Sequence, residues 1–144
     1  MLIALDVGLA RIGVAVQVEG TTFSGHKEII HLKESDYRTY LLQLIEKFKP
    51  EKVVLGLPLV NGELHDTEVT RFIKEIELFL LDSGVDVGFW GEEYTTRMAK
   101  NLANQLNLKK TKRTKKGTYK KSYHDDVAAS IILQNYLEYE KNNS

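Results

Sequence analysis

Two apolar runs, split by one acid and a glycine turn, open the chain. Leu2 to Val7 reads Leu-Ile-Ala-Leu-Asp-Val, apolar on both pleat faces, as a central strand covered from both sides requires. Arg11 to Val18 alternates instead, with Ile12, Val14, Val16 and Val18 on one face and Gly13, Ala15 and Gln17 on the other. The short Gly8 to Ala10 link suits an antiparallel hairpin between them, and a weaker third strand lies between Thr22 and His31. Helical spacing then takes over. Tyr37, Tyr40, Leu41, Leu44 and Phe48 share a face behind a Ser35 cap, and Pro50 ends that helix. Lys52 to Gly56 is a short buried strand ending at Gly56-Leu57-Pro58. Thr67 to Asp82 is a second helix, with Val69, Phe72, Ile73, Ile76 and Leu80 inward and Gly84 behind it. Val85 to Trp90 is a fifth strand, 95–106 a third helix, and Asp125 to Tyr139 a closing helix.

An antiparallel meander followed by crossovers predicts a mixed five-stranded α/β sheet flanked by helices, antiparallel over strands 1 to 3 and parallel over 1, 4 and 5. Length and the lack of any linker or repeat make 1–144 one domain. There is no cysteine, so disulfides and thiolate metal sites are excluded. No apolar stretch approaches the ~18 residues of a membrane span and no basic leader precedes the first strand, so the expectation is a cytoplasmic protein without a membrane partner.

Charge changes the picture. The chain is formally neutral, yet residues 109 to 121 hold eight basic residues and no acid: Lys109, Lys110, Lys112, Arg113, Lys115, Lys116, Lys120 and Lys121. That leaves 12 basic residues against 20 acidic ones elsewhere, so a basic loop sits on an acidic body. A run of this kind can be a solvated loop; lying between motif-bearing segments, it reads as a nucleic-acid contact.

Three acids fall at element ends. Asp6 closes the first strand, Glu92 and Glu93 follow the fifth, and Asp125 and Asp126 open the last helix. The carboxyl ends of parallel strands share one edge, where open α/β folds place their sites. Carboxylates gathered there repel and take up protons unless a cation neutralises them. Oxygen-only donors without cysteine or clustered histidine point to Mg²⁺ or Mn²⁺, and the matching chemistry is two-metal phosphodiester hydrolysis. Singly, each acid has a plainer role: Asp6 in a turn, Glu92 and Glu93 at a helix dipole, Asp125 or Asp126 as a cap. Thr95 and Thr96 could donate to Glu92 or to phosphate, or cap their helix.

Leu5-Asp6-Val7-Gly8 with Arg11-Ile12-Gly13-Val14-Ala15-Val16, Val54-Leu55-Gly56-Leu57-Pro58-Leu59 with Asn61-Gly62, Glu92 with Thr95-Thr96, and Asp125-Asp126-Val127-Ala128-Ala129 resemble, in order, the motifs of the YqgF or RuvX family. This Holliday-junction-resolvase-like family is described as pre-16S ribosomal RNA nucleases, and the resemblance spans Leu2 to Leu137. It implies a ribonuclease H-like fold and a divalent-metal nuclease with catalytic acids Asp6, Glu92 and Asp125. Glu93 and Asp126 are the alternatives one residue away; Arg11, Thr95 and Thr96 are further candidates. It implies a nucleic-acid partner, with ribosomal RNA precursor favoured over DNA junctions, and a monomer or homodimer. Two departures stand out. Leu9 and Ala10 occupy positions that often hold a threonine and a basic residue. Gly91-Glu92-Glu93 replaces the usual Asp-Glu-Arg triplet, which makes the site more acidic. These departures keep a non-catalytic binding module of the same fold as the competing reading. A phosphate loop of actin-like ATPases also opens on Asp-Val-Gly, but those proteins need two such domains.

The basic segment makes a prediction. Alanine at Lys109, Lys110, Lys112 and Arg113 weakens nucleic-acid binding whatever the sequence, and flattens its log-log salt dependence by roughly one unit per lost phosphate contact. Unchanged affinity and slope in a salt titration would remove the segment from the footprint.

Overall fold

A computed structural model describes residues 1–21, 24–93 and 117–143, with backbone alone at 93 and along 117–126. Its strands are β1 (Leu2–Val7), β2 (Arg11–Gln17), β3 (Ser24–His31), β4 (Lys52–Val60), β5 (Glu63–Leu64) and β6 (Asp86–Glu93). Its helices are α1 (Tyr37–Phe48), α2 (Glu68–Asp82) and α3 (Gly117–Asn142). No helix among the described residues is long and apolar enough to cross a membrane.

The sheet is mixed, as the sequence predicts. β1 pairs antiparallel with β2 and β2 with β3, while β1, β4 and β6 run parallel. The Gly8 to Ala10 link closes as a hairpin through the Gly8 N–H donating to the Arg11 carbonyl at 2.9 Å. α1 starts one residue later than its predicted cap allows, because Asp36 rather than Ser35 accepts from the Arg38 N–H. α2 begins behind Thr67, whose hydroxyl exchanges capping bonds with Thr70.

Two strands outrun their predicted ends. β4 continues through Pro58 to Val60. Its last pair with β1 is Leu5 with Leu55, so Pro58 falls where β4 has already passed β1 and no β1 ladder bond is lost for want of an N–H. Asn61 and Gly62, both at positive φ, then turn the chain back into the two-residue β5. β6 likewise runs three residues past Trp90, to Glu93. The predicted helix over 95–106 lies outside the described residues.

The two faces of the sheet are built from residues of different size. Ile3, Leu5, Val7, Ile12, Val14, Val16, Ile30, Val53 and Leu55 form one face, which meets Leu41 and Leu44 of α1 and Ile73, Ile76 and Leu80 of α2. The opposite face presents Leu2, Ala4, Ala15 and Val54 to Ala129, Ile132, Leu133, Tyr136 and Leu137 of α3. Asp6 shares that second face by pleat alternation with Leu2 and Ala4, opposite Gly13 of β2. So β1 is apolar on both faces because both are covered, and small residues on one of them bring α3 close.

Gly56 marks the tightest approach: a Cβ there would lie 2.6 Å from Ile132 Cδ1. Ile132 is 2% exposed and has little room to give. Gly56→Ala therefore costs about 1–3 kcal/mol of stability by overpacking. Ile132→Val removes the very atom in conflict. In a double-mutant cycle measured by urea unfolding, the pair should be less destabilised than the sum of the singles by more than ~0.5 kcal/mol. Simple additivity would show that Gly56 is not what sets the depth of α3.

Candidate functional site

Asp6 is the penultimate residue of β1 and is half-buried. Glu92 is the penultimate residue of β6, paired with Pro58 of β4. Gly88, Trp90 and Glu92 alternate onto the face that α3 covers, since a Cβ at Gly88 would meet Tyr136 and Trp90 packs against the α3 cluster. Asp6 and Glu92 thus occupy one face of one sheet, at the carboxyl ends of parallel strands with β4 between them. Extending the β1–β4 register by one residue sets Asp6 level with Gly56. Glu92 then stands two strands over, ~10 Å across, and two residues, ~7 Å, further along.

Glu92 carries the clearest physical signal. Its Oε1 is buried and has no hydrogen-bond partner among the described residues. Burial pushes its carboxyl above the ordinary value of 4.5. A desolvated carboxylate oxygen left unpaired is costly, and natural structures tolerate such atoms mainly where a ligand completes them. Asp6 and Glu92 are oxygen donors on one face, one of them with an unpartnered buried oxygen, and that donor chemistry fits a hard divalent cation. Among the described residues no group of three metal-ligating side chains comes together; the third predicted acid, Asp125, has only its backbone described.

The remaining sequence-predicted residues fall as follows. Asp125 and Asp126 do not open the last helix: α3 begins at Gly117, eight residues before Asp125. The stretch from Thr118 to His124 contains no proline or glycine to stop a helix, so it extends the helix toward the amino terminus. Both acids are therefore interior helix positions, and a capping role is ruled out. For the same reason Lys120 and Lys121 belong to α3 and not to a loop, while Lys109, Lys110, Lys112, Arg113, Lys115 and Lys116 lie outside the described residues. So do Thr95 and Thr96. Glu93 ends β6 opposite Leu59. Arg11 opens β2 opposite His31, beside the hairpin turn and near the end of β1 that bears Asp6. Glu92 and Glu93, expected just after the fifth strand, are its last two residues, held there because β4 continues alongside. Trp90 shares this row of β6 with Gly88 and Glu92, packed against the α3 cluster.

The sheet order, with its parallel centre and antiparallel meander, defines a ribonuclease H-like fold with acids at the carboxyl edge. The fowlpox virus Holliday junction resolvase shares that fold, with a TM-score of 0.56 over 99% of each chain at 16% identity. A model of the RuvX family, described as Holliday junction resolvase, matches residues 1–139. A Clostridioides difficile protein named "Putative pre-16S rRNA nuclease" is 34% identical over 143 residues, covering 98% of this chain and 96% of its own. A Thermus thermophilus protein of the same name is 32% identical over 135 residues, covering 93% and 94%. The chain belongs to the RuvX family.

The raised Glu92 carboxyl gives a pH-dependence with a definite sign. Below pH 4.5 both folded and unfolded chains hold the proton, and burying Glu92 carries no charge penalty. As pH rises through that value the unfolded chain releases its proton first, so stability falls until the folded carboxyl ionises too. Without divalent metal, Glu92→Gln should be more stable than the parent at neutral pH and should lose this part of the pH profile. Equal melting temperatures across pH 4 to 8 would contradict the assignment.

Proposed function

We propose that this protein is a divalent-metal-dependent nuclease that hydrolyses phosphodiester bonds in structured nucleic acid, with the 5′ end of a 16S ribosomal RNA precursor as its favoured substrate. The observation that carries the reading is the buried Oε1 of Glu92, without a hydrogen-bond partner among the described residues, on the same sheet face as Asp6. Membership of the RuvX family and the names borne by the relatives at about one-third identity support the substrate class.

Asp6, Glu92 and Asp125 are the acids of the site. Asp125 lies one helical turn before Ala129 and about two before Ile132, the residue that meets Gly56. Tyr136 reaches Gly88 and Lys52, early in β6 and β4, so α3 runs antiparallel to these strands and its earlier residues approach their carboxyl edge. Position 125 keeps the helical row of Ile132 and Tyr136, whose contacts are with β4 and β6; position 126 keeps that of Leu133 and Leu137. This spacing favours Asp125 over Asp126 as the third acid. When bound by these carboxylates, Mg²⁺ or Mn²⁺ supplies a lowered pKa for the attacking water and charge stabilisation for the leaving oxygen. The chain's own part is to hold Asp6 rigidly in a central strand, to keep Glu92 desolvated, and to roof both with α3. The basic residues from Lys109 to Lys121 supply the sequence-independent attraction for the phosphate backbone. The protein acts in the cytoplasm, as a monomer or homodimer, with Arg11, Thr95 and Thr96 as further candidates for substrate contact.

A DNA junction is the second substrate reading, favoured by the description of the matching family. Incubation with Mn²⁺ and labelled precursor RNA, beside a four-way DNA junction, tests both. The parent should cut the RNA, and Asp6→Asn should bind it equally while cutting about a hundredfold more slowly or less, a barrier increase of ~3 kcal/mol. Preferential cutting of the junction would select the second reading, and binding without cleavage by the parent on both substrates would contradict nuclease activity.

A further inference from the structure

We infer that Trp90 and Tyr139 form a stacking subsite for an unpaired base of the nucleic acid whose phosphate lies at Asp6 and Glu92. The inference rests on the nuclease reading above and adds to it where the strand runs on leaving the acids.

Three aromatic rings meet where β6 passes beneath the carboxyl-terminal half of α3. Trp90 stands edge-to-face to Tyr136, with centroids 6.4 Å apart and planes at 84°. It lies 5.9 Å from Tyr139, the planes inclined at 60°. The arrangement is built rather than incidental. Gly88 leaves space for the Tyr136 hydroxyl, which a Cβ there would approach to 2.8 Å. That hydroxyl accepts from Lys52 Nζ at 2.9 Å, and the same ammonium reaches Glu140 at 3.3 Å. Tyr136 is thereby pinned flat against β6, and its edge sets the angle of the indole.

Position relative to the acids decides the occupant. Trp90 and Glu92 are in one row of one strand, two residues or ~7 Å apart, so a strand with a phosphate at Glu92 passes over the indole within about a nucleotide. Tyr139, one turn beyond Tyr136, is 53% exposed and Trp90 is partly exposed, so aromatic surface faces solvent at this point. A cationic ligand is not the match. The Lys52 ammonium already lies over Tyr136, 5.2 Å from the ring centroid, and the rings stand too close to admit another group between them. Partly exposed aromatic rings beside the proposed phosphate site suit a flat, neutral base, which stacks without regard to sequence.

Trp90 is the chain's one tryptophan, so its emission reports on this subsite alone. Full-length protein with Ca²⁺ in place of Mg²⁺ or Mn²⁺, so that the acids are neutralised while cleavage is suppressed, should be titrated with a 12-nucleotide single-stranded RNA and, separately, with a blunt RNA duplex of equal length. Fluorescence anisotropy of end-labelled RNA, read in parallel, measures binding independently of Trp90. Single-stranded RNA should quench Trp90 while the duplex does not, and Tyr139→Ala, at an exposed position, should weaken single-strand binding about tenfold. If anisotropy shows binding but Trp90 emission is unmoved and Tyr139→Ala binds equally, the subsite is wrong and the nucleic-acid reading stands. If anisotropy shows no binding to either RNA, the proposed function fails and this inference with it.

Discussion

How deeply α3 settles onto the sheet is fixed by positions that lack side chains, and the candidate site exists at the edge of that contact. At Gly56 the helix presses Ile132 within 2.6 Å of where a Cβ would stand, and at Gly88 it lays Tyr136 against β6. Ala4 and Ala15 fill the same face with nothing larger than a methyl group. Larger residues here would lift the helix from the face that carries Asp6 and Glu92. Burial of Glu92 raises its carboxyl above the ordinary value. Stability is thus sacrificed at one residue, and the large aliphatic residues packed under α1 and α2 on the opposite face offset the loss.

This division of labour between faces explains why one strand can be both core and site. β1 contributes Ile3, Leu5 and Val7 to the packing under α1 and α2, and Leu2, Ala4 and Asp6 to the side roofed by α3. A one-residue slip would send the acid into the aliphatic layer, so the alternation that buries the core also aims the carboxylate. β6 repeats the device, with Val87 on the core side and Gly88, Trp90 and Glu92 on the other. The central β4 carries no acid and separates the two candidate acids, Asp6 and Glu92.

Most of this plan was legible in the residues. The alternation of Ile12, Val14 and Val16 with Gly13 and Ala15 already separates a large-residue face from a small-residue one, and the order of elements yields the mixed sheet. What sequence could not show lies at element ends, where tertiary pairing overrules local propensity. Pro58 reads as a stop, yet β4 passes through it because β6 still runs alongside; for the same reason β6 extends to include Glu92. Asp125 reads as the start of a helix because acids favour first turns, but α3 starts at Gly117, and neither the basic residues nor the tyrosines before Asp125 oppose helix. Gly56 reads as a strand end, and the close approach of Ile132 to it is visible only in the fold. The aromatic trio could not be read at all, because Trp90 and Tyr139 are far apart in the chain and meet only when α3 crosses β6.

The proposed nuclease site requires Asp6 and Glu92 to share a divalent cation, with the desolvation of Glu92 maintained for it. Calorimetric titration of Mn²⁺ into the parent, Asp6→Asn and Glu92→Gln, each at a series of pH values from 4.5 upward in two buffers of different ionisation enthalpy, measures binding and the proton released with it. The account predicts binding by the parent with net proton release, since the raised Glu92 carboxyl must ionise to accept the metal, and loss of that binding in either variant. Mn²⁺ binding that persists unchanged in both variants, with no proton released, would contradict it.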